Sequence, residues 1–292
     1  MSEIKPAEIK QLGIAGSGMM AAGVAEVAAK AGFEVILRGR SQASADGALG
    51  RVAKSLGYQV DKGKMAAADA DDALGRVRTT VDLEDLELCG LVVETVVEDL
   101  ETKRQLFRDL DRLCGEDTIL ATNTSTLPVV DIAMSTRRPD RVLGVHFFNP
   151  APRMPLVELV PALTTSAATV ATARQFALDC GKEPVTVKDN AGFIVNALLF
   201  PYLNSAVRML ESSIATKEDI DTAMRGGCGY PMGPLELLDL VGLDTSLAIL
   251  QALDEERHEP ACTPAPLLRR MVTARHLGRK VGQGFYTYPK AS

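Results

Sequence analysis

The sequence predicts an α/β domain built on a parallel sheet, followed by an all-helical domain. Two observations carry this. First, Gln11–Ala15 is a short apolar run ending in glycines, Met19–Lys30 has helical spacing, and Phe33–Arg38 is β-rich. Strand, glycine turn, helix and strand make a βαβ unit, and such units imply a parallel sheet. Second, strand-like segments recur to about residue 188 and then largely stop, while helical patterns continue to Arg275. The boundaries that follow are 1–188 and 189–292.

Further strands are expected at Gly90–Thr95, Thr118–Thr122, Arg141–Phe147, Leu156–Val160 and Pro184–Val187, with helices such as Leu100–Leu113 and Ala167–Cys180 between them. Ser41–Val77 separates the second strand from the next by more than one crossover requires. It reads as an inserted helical pair turning at Asp61–Met65, and insertions of that size are often functional. Asn190–Leu210 is apolar on most faces, which predicts a helix buried on all sides, kinked or distorted at Pro201. Thr216-Lys-Glu-Asp219 has the pattern of a capping box before the next helix.

Composition narrows the function classes. The 292 residues are 46% hydrophobic and 24% charged, as in a folded enzyme-sized protein. Thirty-two Lys and Arg against 38 Asp and Glu leave a net charge of −6, which argues against nucleic-acid binding. Cys89, Cys114, Cys180, Cys228 and Cys262 are dispersed without a C-x-x-C pair, so a disulfide frame and a metal site are not expected. Glu26 and Lys30 interrupt the Ala/Val-rich stretch after Met19, so no membrane span is expected. Glu3 and Glu8, with no hydrophobic leader, place the expected location in the cytoplasm.

Gly16-Ser-Gly18-Met-Met-Ala21 is a G-x-G-x-x-A turn that follows a strand and opens a helix. Gly16 permits the turn, Gly18 lets backbone approach a pyrophosphate, and Ala21 lets helix and strand pack closely. The free N–H groups from Met19 and Met20 onward face the phosphates. This is a dinucleotide-binding, Rossmann-type arrangement. An acid at the end of the second strand would bind the ribose diol of NAD. Here the strand ends in Arg38-Gly-Arg-Ser41, with no acid until Asp46. Arg38, Arg40 and Ser41 suit a 2′-phosphate and favour NADP(H) over NAD(H); the alternative leaves both arginines solvated.

Of the three histidines, His258 and His276 sit among charged residues, whereas His146 ends a strand at the carboxyl edge where ligands bind in open α/β sheets. Glu158 lies on an apolar strand face, where an unpaired carboxylate is costly. Each is six residues from Pro152, so a turn centred there sets them opposite one another. The pair is either a structural one or a carboxylate-oriented imidazole ready to exchange a proton with substrate. Ser125, just after the strand Thr118–Thr122, also sits at a strand's carboxyl end, and helix capping by itself explains it. Asn196 is a polar residue in an apolar helix and must find partners.

These residues together resemble the 3-hydroxyacyl-CoA dehydrogenase family, of the short 3-hydroxybutyryl-CoA dehydrogenase type. The resemblance rests on Gly13–Gly23, Val92–Asp99, Asn123-Thr-Ser125, His146-Phe-Phe-Asn-Pro150, Gly192-Phe-Ile-Val-Asn196, Gly229-Tyr-Pro-Met-Gly-Pro234 and Gly282-Gln-Gly-Phe-Tyr286, in that order over nearly the whole chain. It implies His146 and Glu158 as the catalytic pair, with Ser125 and Asn196 on the substrate. It implies Glu98, Lys103 and Asn123 on the cofactor side and Asn149 in the active-site loop. Lys54, Lys62 and Lys64 fall in the family's helical arm, which meets the CoA phosphates. NAD(H) is the family's default cofactor, and Gly39 stands where members usually carry an acid. The substrate expected is an acyl-CoA, the reaction hydride transfer at C3, and the assembly a homodimer through the C-terminal domain. Rival expectations are a β-hydroxyacid dehydrogenase on a free acid, an enzyme for acyl carrier protein thioesters, and a non-catalytic relative.

Overall fold

In the computed structural model, residues 6–289 are described; Glu3, invoked above against a leader, lies outside them. By contacts the chain divides into two compact units at Asp189/Asn190.

The first unit opens with β1 (Gln11–Ala15), α1 (Met19–Lys30) and β2 (Glu34–Arg38), and continues through α2 (Gln42–Asp61), α3 (Ala67–Gly75), β3 (Val77–Thr80) and β4 (Leu91–Glu94). Then come α4 (Leu100–Leu113), β5 (Ile119–Thr122), α5 (Val129–Ala133), β6 (Val142–Phe147), β7 (Leu156–Pro161), α6 (Ala167–Asp179) and β8 (Glu183–Thr186). The strands form one eight-stranded sheet in the order β3-β2-β1-β4-β5-β6-β7-β8. Pairing is parallel except between β6 and β7, which are antiparallel neighbours. Strand order reverses between β1 and β4, so a crevice opens at their carboxyl ends. Central strands covered on both faces read as continuous apolar runs, and Leu91, Val92, Val93 and Glu94 of β4 are all buried.

Sequence periodicity did not reveal β3. The inserted helices are present as α2 and α3, but the next strand after them is Val77–Thr80, paired with β2 at the sheet edge. Its four residues include one apolar side chain, too few for a period of two to register. α1 lies close on the sheet because Ala21, Ala22, Ala25, Ala28 and Ala29 are small and buried. α2 is tied to α1 through Gln59, whose amide donates to Glu26 and accepts from Lys30.

The second unit contains α7 (Val195–Glu211), α8 (Lys217–Cys228), α9 (Pro234–Val241), α10 (Leu243–Arg257) and α11 (Pro266–Thr273) around a core that includes Phe200, Leu203, Val207, Leu235, Leu250, Leu253 and Leu268. Isolated β-bridges at Gly278–Gln283 and Gln283–Thr287 are its extended features among the described residues. Thr216 caps α8 by accepting from the Asp219 N–H. The helix expected from Asn190 is corrected: Gly192 (φ +72°) and Phe193 (φ +49°) are left-handed, so a turn precedes α7 and the helix begins at Val195. Burial on all its sides is also corrected, since Leu198 is 72% exposed on the single chain. α7 runs on through Pro201 as one helix. Among the described residues no helix is long and apolar enough to cross a membrane.

Candidate active site

The β6–β7 hairpin brings the predicted pair together. His146 on β6 is in register with Glu158 on β7, and Nδ1 of the imidazole lies 2.8 Å from Oε2 of the carboxylate. Both are buried, Glu158 completely. An antiparallel pair sets opposed side chains within reach of one another on one face. With the Nδ1 proton donated to Glu158, Nε2 is left as an acceptor, and it lies 3.1 Å from the Ser125 hydroxyl.

Ser125 does not cap a helix. The first N–H groups of α5, Val129 and Val130, are taken by the carboxylate of Asp189 at 2.9 and 2.7 Å, which leaves the serine hydroxyl to the histidine. The turn carrying Ser125 is held by Glu98, in the loop between β4 and α4. Oε1 of Glu98 accepts from the Ser125 N–H at 2.8 Å and from the Thr124 hydroxyl. Asn123 accepts from the Phe147 N–H at 2.8 Å, stitching the end of β5 to the end of β6.

Glu94, at the carboxyl end of β4, was missed as a site residue. It is fully buried. Its oxygens lie 2.7 and 2.8 Å from Nζ of Lys103, and it also accepts from the Val96 N–H and the Thr122 hydroxyl. Burial pushes its carboxyl up from the usual range, with Lys103 and these donors pulling against that. Lys103 is itself buried, and its ammonium lies 3.3 Å from Glu98. The sequence signal that could have marked Glu94 is a charged residue closing an apolar strand; its partner Lys103 was not readable from the spacing.

The glycine turn leaves room for a diphosphate. Gly16 is at φ +148°, and a Cβ there would sit 2.3 Å from the Thr95 hydroxyl, so no side chain fits. A Cβ on Gly18 would meet nothing within 4 Å, an open approach to backbone. No side chain caps α1, so the N–H groups at Met19 and Met20 remain for an anion. These features fit a dinucleotide.

At the end of β2, Arg38 donates to the Val81 carbonyl at 3.1 Å and lines an open cleft with Leu83, Asp99 and Thr102. Arg40 is exposed. Ser41 caps α2 by accepting from the Ser44 N–H. Gly39 is a point of close approach: a Cβ there would lie 2.7 Å from the Ala45 nitrogen and 2.7 Å from the Ser44 hydroxyl. An acidic side chain at 39 cannot be seated without moving α2.

Lys54, Lys62 and Lys64 are exposed on α2 and the turn after it, with Lys62 over the Tyr58 ring at 5.6 Å. Between α1, α2 and the turn that includes Asn149 is a cleft of about 290 Å³, lined in part by Arg51, Ser55, Asn149 and Arg153; of these only Asn149 was singled out from sequence. Asn196 is buried in the first turn of α7, in the second unit. The geometry therefore joins Ser125, His146 and Glu158 in one hydrogen-bonded line and places Glu98, Lys103 and Asn123 around its serine end. Among the described residues, no group of three or more His, Cys, Asp or Glu side chains could hold a metal ion.

A dinucleotide-binding α/β unit with an oriented histidine near the carboxyl end of an interior sheet strand defines an oxidoreductase-type architecture. Residues 11–190 match the family domain described as 3-hydroxyacyl-CoA dehydrogenase, NAD binding domain, and residues 192–288 match 3-hydroxyacyl-CoA dehydrogenase, C-terminal domain. The chain belongs to the 3-hydroxyacyl-CoA dehydrogenase family. It is 48% identical over 282 residues to a 3-hydroxybutyryl-CoA dehydrogenase of Mycobacterium tuberculosis, covering 96% of this chain and 99% of that one. Identity to the 3-hydroxybutyryl-CoA dehydrogenase of Clostridioides difficile is 45%, over 96% of this chain and 100% of the relative. Among solved structures, (S)-3-hydroxybutyryl-CoA dehydrogenase of Ralstonia eutropha superposes with a TM-score of 0.94 at 40% identity, covering 97% of this chain and 100% of that one.

Proposed function

We propose that the protein interconverts a 3-hydroxyacyl-CoA and the corresponding 3-oxoacyl-CoA, with short acyl chains such as 3-hydroxybutyryl its substrates. The observation that carries the reading is the line Ser125–His146–Glu158, in which one imidazole nitrogen is held by a carboxylate and the other is offered to a hydroxyl. The names of the relatives support the short chain. A bound nicotinamide supplies the hydride exchange at C3.

The chain's own residues handle the proton and the alignment. In oxidation His146 Nε2 takes the proton of the 3-hydroxyl, and in reduction the imidazolium returns it. Glu158 fixes the tautomer and stabilises the cation. Ser125 holds the substrate oxygen, a positioning contribution, and Asn196 is assigned to the substrate by the family resemblance. Gly16, Gly18, Met19 and Met20 hold the diphosphate, and Glu98, Asn123 and Asn149 lie on the cofactor side, with Lys103 acting there through Glu98. Arg51 and Arg153, together with Lys54, Lys62 and Lys64, supply positive charge for the phosphates of CoA.

Arg38, Arg40 and Ser41 favour NADP(H), and the exclusion of an acid at Gly39 supports this; NAD(H) remains the family's default. We assign the assembly as a homodimer through the C-terminal domain. In support, an apolar groove runs along Leu199, Tyr202, Tyr230, Met232, Leu237 and Leu240. The five free cysteines agree with a reducing compartment, the cytoplasm. The test is a matrix of initial rates: NADH and NADPH against acyl-CoA chain lengths, for wild type and Arg40→Ala. Absence of turnover with every acyl-CoA refutes the reaction, and a strong wild-type preference for NADH refutes the NADP(H) assignment. Light scattering that returns a monodisperse monomer refutes the dimer.

A further inference from the structure

We propose that Glu94 is a positioning residue for this reaction: through Lys103 it fixes the carboxylate of Glu98, and through Glu98 the turn that holds Ser125 against His146. The inference rests on the dehydrogenase reading above and assigns a role to a residue that touches neither substrate nor cofactor.

The contacts form an unbroken series. Two Nζ contacts of Lys103 go to Glu94 at 2.7 and 2.8 Å, and the third goes to Glu98 at 3.3 Å. Glu98 in turn accepts from the Ser125 N–H at 2.8 Å, the Thr126 N–H at 3.4 Å and the Thr124 hydroxyl. Ser125 then meets His146 Nε2 at 3.1 Å. Glu94 is also fastened to the strand end that launches this turn: its side chain accepts from the Thr122 hydroxyl at 2.7 Å and its carbonyl from the Asn123 N–H at 2.9 Å.

Two physical arguments favour a functional role over a structural one. The side chain of Glu98 is 40% exposed, so its carboxylate needs an anchor to keep one rotamer in water, and a fixed ammonium beneath it is such an anchor. A buried ion pair is in addition a poor device for stability, because apolar residues of similar volume often stabilise as well or better. The pair at Glu94 and Lys103 is 0% and 1% exposed, and its third contact points toward the site. An apolar replacement would remove that ammonium and leave Glu98 held only by the Thr124 hydroxyl and the Ser125 and Thr126 N–H groups.

The experiment compares Glu94→Gln, Lys103→Met, the double variant and Glu98→Gln with wild type and His146→Gln, reading kcat, KM for acetoacetyl-CoA, the Kd of the reduced nicotinamide nucleotide, and Tm. Glu94→Gln should lower kcat about 10- to 100-fold, the scale of a small misplacement of a catalytic group, with KM within about threefold of wild type and the nucleotide Kd changed no more than in Glu98→Gln. Glu94→Asp, which keeps the charge, should recover part of kcat. The double variant removes both charges, so Tm should return toward wild type while kcat stays low. Glu98→Gln, at an exposed side chain, should show the same loss in kcat with Tm unchanged.

A double variant that regains kcat together with Tm makes the pair merely structural and overturns the proposal. Wild-type kcat in Glu94→Gln or in Glu98→Gln also overturns it. Should Glu94→Gln fail to fold, the double variant and Glu98→Gln decide. His146→Gln at the wild-type rate refutes the dehydrogenase reading itself; an inactive His146→Gln beside a fully active Glu94→Gln refutes only the role of Glu94.

Discussion

Replacing Glu158 with Gln tests how much the buried carboxylate contributes to proton transfer. The amide has the same shape, and its oxygen can still accept from Nδ1, so the geometry at 2.8 Å is retained while the charge is lost. The charge centres of an imidazolium and a carboxylate so joined lie about 4 Å apart, and at an effective dielectric constant of about 20 their attraction is about 4 kcal/mol. The amide dipole returns part of this. With 1.4 kcal/mol per factor of ten, kcat should fall about 10²- to 10³-fold. The assay is steady-state reduction of the oxidised nucleotide with 3-hydroxybutyryl-CoA, the direction in which the imidazolium forms, with thermal unfolding run in parallel to show that the variant is folded. A folded Glu158→Gln enzyme within about threefold of the wild-type kcat would refute the reasoning, because imidazolium stabilisation would then not be needed in the rate-limiting step.

Other sites carry separate expectations. Burial works to raise the Asp111 carboxyl, but hydrogen bonds from Arg138 and Arg137 outweigh it and hold the group below the usual carboxylate range. The stability this supplies is present above the unfolded value of about 3.9 and is lost as pH falls through the lower folded value. Asp111→Asn should therefore cost about 1–3 kcal/mol in urea unfolding at pH 7, with the difference from wild type shrinking as pH falls below the usual carboxylate range. Asp221 is buried in the second unit and accepts from the N–H groups of Leu235 and Glu236 and from the Tyr286 hydroxyl at 2.8 to 3.0 Å. Asp221→Ala strands those donors and should cost about 2–4 kcal/mol, measured by denaturant titration. Gly39→Asp forces α2 away from the end of β2, so kcat/KM with NADPH should fall relative to NADH; an unchanged ratio refutes the assignment of Arg40 and Ser41 to a 2′-phosphate.

How much of the molecule was legible in the sequence depends on the range of the interaction. The symmetric spacing of His146 and Glu158 about Pro152 predicted their pairing because an antiparallel register is a local property of one hairpin. The strands of the sheet's middle were readable because burial on both faces makes them apolar throughout. β3 was not, since an edge strand of Val77-Arg-Thr-Thr80 has little to bury. The start of α7 was misplaced because hydrophobic pattern is blind to left-handed backbone at Gly192 and Phe193. The link from Glu94 to Lys103 was hidden for another reason: nine residues separate them across a strand, a loop and a helix, and neither period predicts that they face one another. Ser125 was readable as a cap or as a site residue, and only Asp189's claim on the N-terminus of α5 separates the two.

The central claim is that His146 moves the proton and does no more than that. His146→Gln measures it most directly, with turnover of 3-hydroxybutyryl-CoA and acetoacetyl-CoA followed beside nucleotide binding by fluorescence. The account predicts that turnover in both directions is abolished while nucleotide affinity stays near the wild-type value. A folded variant that keeps the wild-type rate would contradict it.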